Sequence, residues 1–340
     1  MDAAGDVGWE PDVLGAGFER MTLPLEPDAQ GAVVATVVRY VPAPARESLL
    51  DRVLRRRPEP GVAAGAAVLY LHGWSDYFFQ KHHAEFWHRA GADFYALDLR
   101  KYGRSLRPGQ TPGYITDLKT YDEDIEAAIA AIGADGIGPD RPLILVGHST
   151  GGLTLSLWAA RNPGRFASLV LNSPWLEFQG NQAGRLAIAP VVGLGARYRP
   201  LERLPSVDLG FYTRTVSSRF DGEWDYSAEW RPDHGFAVHP AWLNAILEGH
   251  AAVALGLRID APVLTMLSAR SSLLPRWTPG MAESDTAIDV EIVAQRSLRL
   301  GPLVTVLRLE GALHDVFLSK GQVRERAFAE LERWLRGYGR

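Results

Sequence analysis

A serine between small residues, Gly147-His148-Ser149-Thr150-Gly151, sits where the apolar run LILVGH passes into the amphipathic stretch GLTLSLWAARNPG. The spacing is G-x-S-x-G. After a buried strand and before a helix, that spacing makes a turn so sharp that the serine is lifted above the sheet edge. The serine of such a turn holds a strained backbone conformation, and side chains two residues to either side would collide, so Gly147 and Gly151 are steric necessities. The helix that follows aims unpaired N–H groups at the same spot and favours negative charge developing there. The chemistry implied is nucleophilic attack by Ser149 Oγ, which needs a base and an acid to orient that base.

Among nine histidines, His314 in LRLEGALHDVFLS is the best placed base. It follows the last apolar run that reads as a strand and precedes the last helical stretch, giving the chain order Ser, acid, His. His148 is adjacent to the serine, but neighbouring residues on such a turn point apart. His82, His83 and His88 lack H-E-x-x-H spacing or a carboxylate at metal-ligand spacing, as do His234 and His239, so no metal site is expected. In YLHGWSDYF the strand end His72-Gly73 turns at Trp74. The Trp74 N–H, beside that of Thr150, would make a two-donor hole for an oxyanion; losing one such donor typically costs roughly 3 to 4 kcal/mol of barrier.

The elements that must carry these residues are short apolar runs alternating with amphipathic stretches, the rhythm of a parallel sheet covered by helices. Runs at 66–73, 92–100, 141–149 and 167–174 read as strands buried on both faces. An earlier strand, 32–41, pairs with MTLPL just before it. FQKHHAEFWHRAG, YDEDIEAAIAAIG and GLTLSLWAARNPG have helical spacing, each meeting a glycine at or just beyond its end. The arginines 55–57 read as a solvated loop or short helix. The rhythm breaks from 176 to 258 and resumes with APVLTMLS (261–268), EIVAQRSLRLG, LVTVLRLEG and a last helix over 319–337. The expected fold is α/β: a doubly wound, mostly parallel sheet with an inserted helical cap. It divides into a first core part (20–175), the cap (176–258) and a second core part (259–340).

Composition narrows the chemistry. With 340 residues and 46% hydrophobic content the chain can bury one large core or two smaller ones. The absence of cysteine removes disulfides, thiolate catalysis and zinc–thiolate sites. A net charge of -4 gives no field to gather nucleic acid. No run approaches the ~20 apolar residues of a membrane span. The first residues carry acids and glycines where a secretory signal has basic residues and an apolar core. A cytoplasmic location, no integral membrane association and no nucleic-acid partner are expected; oligomeric state is not legible.

Taken together, His72-Gly73-Trp74, the DLRKYGRS stretch (98–105), GHSTGG (147–152) and GALHD (311–315) resemble the α/β-hydrolase superfamily, in particular its monoacylglycerol lipase, lysophospholipase and serine aminopeptidase-like branch. The resemblance covers about 66–175 and 261–337. It implies an α/β-hydrolase fold, no cofactor, a structural role for Asp98 and Arg100, and a catalytic acid in a short loop after APVLTMLS. Here that loop is stretched by roughly ten residues, with no acid before Glu283. Asp285 and Asp289 both remain open. The resemblance of SDTAIDVEIVAQ to the branch's acid region selects Asp285, whereas Asp289 at a helix start would serve as a cap. The implied activity is hydrolysis of small-molecule carboxylic esters with an apolar acyl group by Ser149, Asp285 and His314. The alternatives are a peptidase or amidase with the same triad, or a ligand-binding member without turnover. In the branch the cap selects substrate. Residues 211–242 carry eight aromatics in 32 positions, and Trp224, Trp230 and Trp242 are expected to line the acyl path, although such rings also suit a cap's own core.

Overall fold

The computed structural model describes residues 8–43, 60–134, 141–179, 181–205 and 208–338; the arginine cluster at 55–57 lies outside them. Among the described residues nine strands form one sheet in the order β1-β2-β3-β5-β4-β6-β7-β8-β9. The first three, β1 (Glu10–Pro11), β2 (Phe18–Asp28) and β3 (Gly31–Tyr40), are joined antiparallel, and β3 meets β5 (Asp93–Asp98) antiparallel. From β5 through β4 (Ala67–Leu71), β6 (Leu143–His148), β7 (Ser168–Asn172), β8 (Val263–Ser268) and β9 (Val304–Leu309) every pairing is parallel.

The central strands are continuously apolar because both faces are covered. Leu69, Leu71, Leu145, Leu169 and Leu171 project into a core shared with α2 (Tyr121–Ala134), α3 (Thr150–Arg161), α6 (Pro240–Leu255) and α7 (Val290–Ser297). Val68, Tyr70, Ile144, Val146 and Val170 project the other way, into a core closed by α1 (Lys81–Arg89) and α8 (Gly321–Tyr338). The period-2 alternation of the pleat thus feeds two separate apolar layers. Between β7 and β8 the chain inserts α4 (Asn181–Tyr198), α5 (Phe211–Val216) and α6. The aromatic-rich stretch is helical only at its two ends; between Ser217 and His239 it runs as turns, with one isolated bridge from Ser217 to Trp224.

The loop after β5 is organised by charge. Asp98, fully buried, accepts hydrogen bonds from Phe78 N (2.9 Å), Arg104 N (3.0 Å) and Arg104 Nη1 (2.8 Å). Arg104 donates two further bonds to Asp12, at 2.6 and 2.8 Å. Burial alone would push Asp12 up, but this bidentate guanidinium holds its carboxyl below the ordinary range. Arg100 is engaged elsewhere, by Asp124 (2.6 Å) and Glu123 (2.5 Å) on α2. Neither Asp98 nor Arg100 faces the serine's cavity.

The packing buries histidines as neutral rings. Burial pushes His82 down to about 4, His83 to about 3, His148 to about 4 and His250 to about 4. Each therefore takes up a proton more readily in the unfolded chain, near pH 6.5, than in the folded one. Their contribution to stability is intact above that pH and is lost as the pH falls toward 4. Each ring therefore opposes folding as the pH falls through that window, while Asp76 and Asp124, whose carboxyls burial pushes up to about 7 and about 6, act in the opposite sense. Thermal unfolding followed by circular dichroism at pH 7.5, 6.5, 5.5 and 4.5 should show the melting temperature falling below pH 6.5. A melting temperature constant from 7.5 to 5 would contradict the neutral burial of these rings.

Candidate active site

The residues singled out for chemistry stand at the carboxyl ends of the strands, where open α/β sheets carry their ligands. Ser149 follows β6 with φ 51° and ψ -117°, a backbone region that costs of order 1–3 kcal/mol for a residue with a side chain. Its neighbours explain why glycines surround it. A Cβ on Gly147 would lie 2.7 Å from Gly152 Cα, one on Gly151 2.3 Å from the His72 carbonyl oxygen, and one on Gly152 2.7 Å from Pro174 Cβ. The elbow is stapled to the chain leaving β7: Ser149 N donates to Asn172 O (3.1 Å) and Trp175 N donates to Ser149 O (2.9 Å). Two residues on, Glu177 is gripped by Arg185 of α4 (2.8 Å) and Arg296 of α7 (2.7 Å).

His314 reaches Ser149 from the loop after β9. Its Nε2 lies 3.0 Å from Ser149 Oγ, and its Nδ1 lies 2.8 Å from Asp285 Oδ2. A carboxylate facing Nδ1 makes that nitrogen the proton carrier and leaves Nε2 as an acceptor for the serine hydroxyl. Asp285 is fully buried, and its other oxygen accepts the N–H groups of Ala287 (2.7 Å) and Ile288 (2.9 Å). Asp289 does not touch His314; it caps α7, accepting from Glu291 N and Ile292 N. The loop bearing His314 is braced by Asp315, whose Oδ1 accepts from Asn172 Nδ2 (2.6 Å) and Phe317 N (3.0 Å). Sequence reasoning gave these two braces no role, although Asp315 adjoins the histidine. His148 bonds elsewhere, its Nδ1 3.2 Å from Asn172 O, with its buried ring 5.0 Å from that of His314 at the cavity wall.

Gly73 runs against the elbow: a Cβ there would come within 3.0 Å of Ser149 Cβ. That closeness brings the Trp74 backbone beside the serine, near Thr150, the first residue of α3. His72 fixes this loop. Its Nδ1 donates to Gly73 O (2.7 Å) and its Nε2 accepts from Leu99 N (3.1 Å), a pairing only the neutral ring can make; burial pushes its pKa down.

Ser149 and His314 open onto a cavity of about 490 Å³, within the usual range for small-molecule sites. Its lining includes apolar side chains, Trp175, Phe178, Leu209, Phe211, Leu273 and Ile288, and polar ones, among them Ser75, Asp76, Asp208 and Arg231. Arg231 Nε lies 3.1 Å from Asp76 Oδ1, yet neither Asp76 oxygen nor Arg231 Nη1 has a hydrogen-bond partner in good geometry. Burial pushes Asp76 up to about 7 even beside that guanidinium. Asp76 is two residues past Trp74, but its partner is 155 positions away in an irregular stretch, so no spacing could announce the pair.

The three tryptophans expected along the acyl path do not line this cavity. Trp224 stacks on His82 and donates Nε1–H to Leu318 O (2.8 Å). Trp230 packs edge-on against Tyr77. Trp242, 3% exposed, lies behind Trp74 with ring centroids 3.7 Å apart. These rings fasten the insertion to the core, and the wall is built by Trp74, Trp175, Phe178 and Phe211 instead. Among the described residues no group of three His, Cys, Asp or Glu could hold a metal ion, and no helix is long and apolar enough to cross a membrane.

A serine on a strained strand-to-helix turn of a mostly parallel, doubly wound sheet, with a histidine after the last strand, defines an α/β-hydrolase. Residues 63–218 match the serine aminopeptidase S33 family. A monoacylglycerol lipase of Mycolicibacterium smegmatis is 32% identical over 218 residues, 64% of this chain and 74% of that one. A phospholipase of Bacillus subtilis is 32% identical over 117 residues, 34% of this chain and 42% of that one. Among solved structures, a Paleococcus ferrophilus monoacylglycerol lipase shares the fold with TM-score 0.58 at 17% identity, covering 82% of this chain and 96% of that one. A Saccharomyces cerevisiae monoglyceride lipase bound to a substrate analogue gives 0.58 at 15% identity, with coverage of 98% and 96%. The chain belongs to the α/β-hydrolases, as a lipase- and esterase-type member similar to monoacylglycerol lipases.

Proposed function

We propose that the protein hydrolyses carboxylic esters that join an apolar acyl group to a small polar alcohol, through an acyl-enzyme on Ser149. Ser149 Oγ attacks the carbonyl carbon while His314 Nε2 takes its proton, and Asp285 steadies the imidazolium. The N–H groups of Trp74 and Thr150 receive the oxyanion. The tetrahedral adduct collapses, the C–O bond to the alcohol breaks, and His314 returns the proton to the leaving oxygen. Water then attacks the acyl carbon by the same path, freeing the acid and restoring Ser149.

The observation that carries this reading is the unbroken relay from Asp285 to His314 to Ser149, at 2.8 and 3.0 Å, on a cavity lined by both apolar and polar side chains. An acyl chain suits the apolar residues. The hydroxyls of an alcohol such as the glycerol of a monoacylglycerol suit Asp76 and Arg231, which offer an acceptor and a donor side by side. For an aminopeptidase, a cavity acid, Asp76 or Asp208, would have to hold a substrate ammonium, and Arg231 opposes that at Asp76. A panel of p-nitrophenyl esters of increasing acyl length, monoacylglycerols and aminoacyl p-nitroanilides tests the assignment. Cleavage of the esters without the anilides is expected, with monoacylglycerols favoured over simple alkyl esters of the same acid. Preferential anilide cleavage would replace the reading with the amidase one.

A further inference from the structure

Asp285 is delivered at the end of an unusually long loop, yet its position owes nothing to most of that loop. Where the chain leaves β8 and where it returns, the two strands of the loop are tied. Asp285 N donates to Arg270 O (3.0 Å), Ser272 N donates to Asp285 O (2.7 Å), and the Ser284 and Ser272 hydroxyls meet at 2.8 Å. Ser271 Oγ adds a bond to Ile288 O (2.7 Å) and accepts one from Val290 N (2.9 Å). Residues 273–283 are therefore an excursion beyond a closed neck, and holding the acid does not require them.

The excursion has its own anchors. Trp277 packs against Phe211 of α5 with centroids 5.8 Å apart, and the Arg214 guanidinium lies 4.1 Å over the Trp277 ring. Met281 is fully buried at the far end. Between neck and anchors, Leu273 and Leu274 are 44% and 54% exposed, and both face the cavity that holds Ser149. Two adjacent leucines held on a braced loop gain from a partner that removes them from water, and Phe211 and Leu209 line the same cavity.

We infer that the excursion 273–283 determines acyl-chain length, with Leu273 and Leu274 as the wall that grips the part of the chain remote from the carbonyl and Trp277 as the strut that holds this wall against α5. The inference rests on the ester-hydrolase reading, and the experiment separates the two. Alkyl fluorophosphonates with butyl and dodecyl chains are reacted with the wild type, with the double variant Leu273→Ser/Leu274→Ser and with Trp277→Ala, and the second-order rate of Ser149 labelling is read by peptide mass spectrometry. Since one or two methylenes in an apolar pocket are worth roughly tenfold or more in discrimination, the dodecyl-to-butyl ratio should fall about tenfold in the double variant and in the same direction in Trp277→Ala. An unchanged ratio, or equal losses for both probes, overturns the inference. A lowered ratio in the double variant alone removes the strut and keeps the wall. Failure of either probe to label Ser149 in the wild type would instead sink the ester-hydrolase reading itself.

Discussion

Ser149→Ala removes ester hydrolysis, with kcat falling by about 10⁶, the loss seen when a nucleophile acting in concert with its histidine is deleted. The residual rate should be that supplied by substrate binding and the oxyanion donors, which the variant retains. Stability should barely change. The backbone at 149 stays at φ 51° with any non-glycine residue, and the deleted oxygen's partner, His314, remains held by Asp285. Ser149→Gly is the informative companion. It also lacks the nucleophile, but it relieves the left-handed strain and should unfold at higher denaturant, by about 1 kcal/mol or more. Measuring ester turnover and urea unfolding for both variants tests the elbow and the nucleophile separately. Full activity in Ser149→Ala would remove the serine from the mechanism; an Ala variant as stable as the Gly variant would remove the strain.

Asp285→Asn should lower kcat by roughly 10⁴ with little loss of stability. The amide keeps an oxygen for Ala287 N and Ile288 N, but it presents a donor to His314 Nδ1 and so favours the wrong imidazole tautomer. Asp289→Ala should do the opposite, costing about 1 kcal/mol through the lost α7 cap while turnover persists. The assay is kcat at saturating ester together with the midpoint of urea unfolding for each variant. A collapse of kcat in Asp289→Ala with an active Asp285→Asn would exchange the two assignments.

Elements with a strong period were legible in the chain. The strands 141–149 and 167–174 correspond to β6 and β7, and the helix 319–337 to α8, because a strand apolar on both faces or a stripe at helical spacing leaves a local mark. The glycines of the elbow were legible for a related reason: their necessity is steric and lies within five residues. The cap tryptophans were not, because aromatic density carries no direction. Residues 217–239 have no regular period, so whether Trp224 or Phe211 meets the cavity depends on the path of the whole insertion. Asp76 and Arg231 were missed because a charge pair between distant turns leaves no local pattern, and Asn172 and Asp315 because their work is done behind the histidine.

The bonds joining Ser149 to the chain after β7 also hold the start of the insertion. Trp175 N holds Ser149 O at 2.9 Å, and Glu177 is clamped by arginines on two helices. The chain leaving β7 is therefore pinned as far as Glu177, and through Arg185 the same pin reaches α4. The insertion thus begins as part of the frame that holds the nucleophile: the first cap helix and the elbow share one brace, so a substitution that loosens Glu177 is felt on both sides of the cavity mouth.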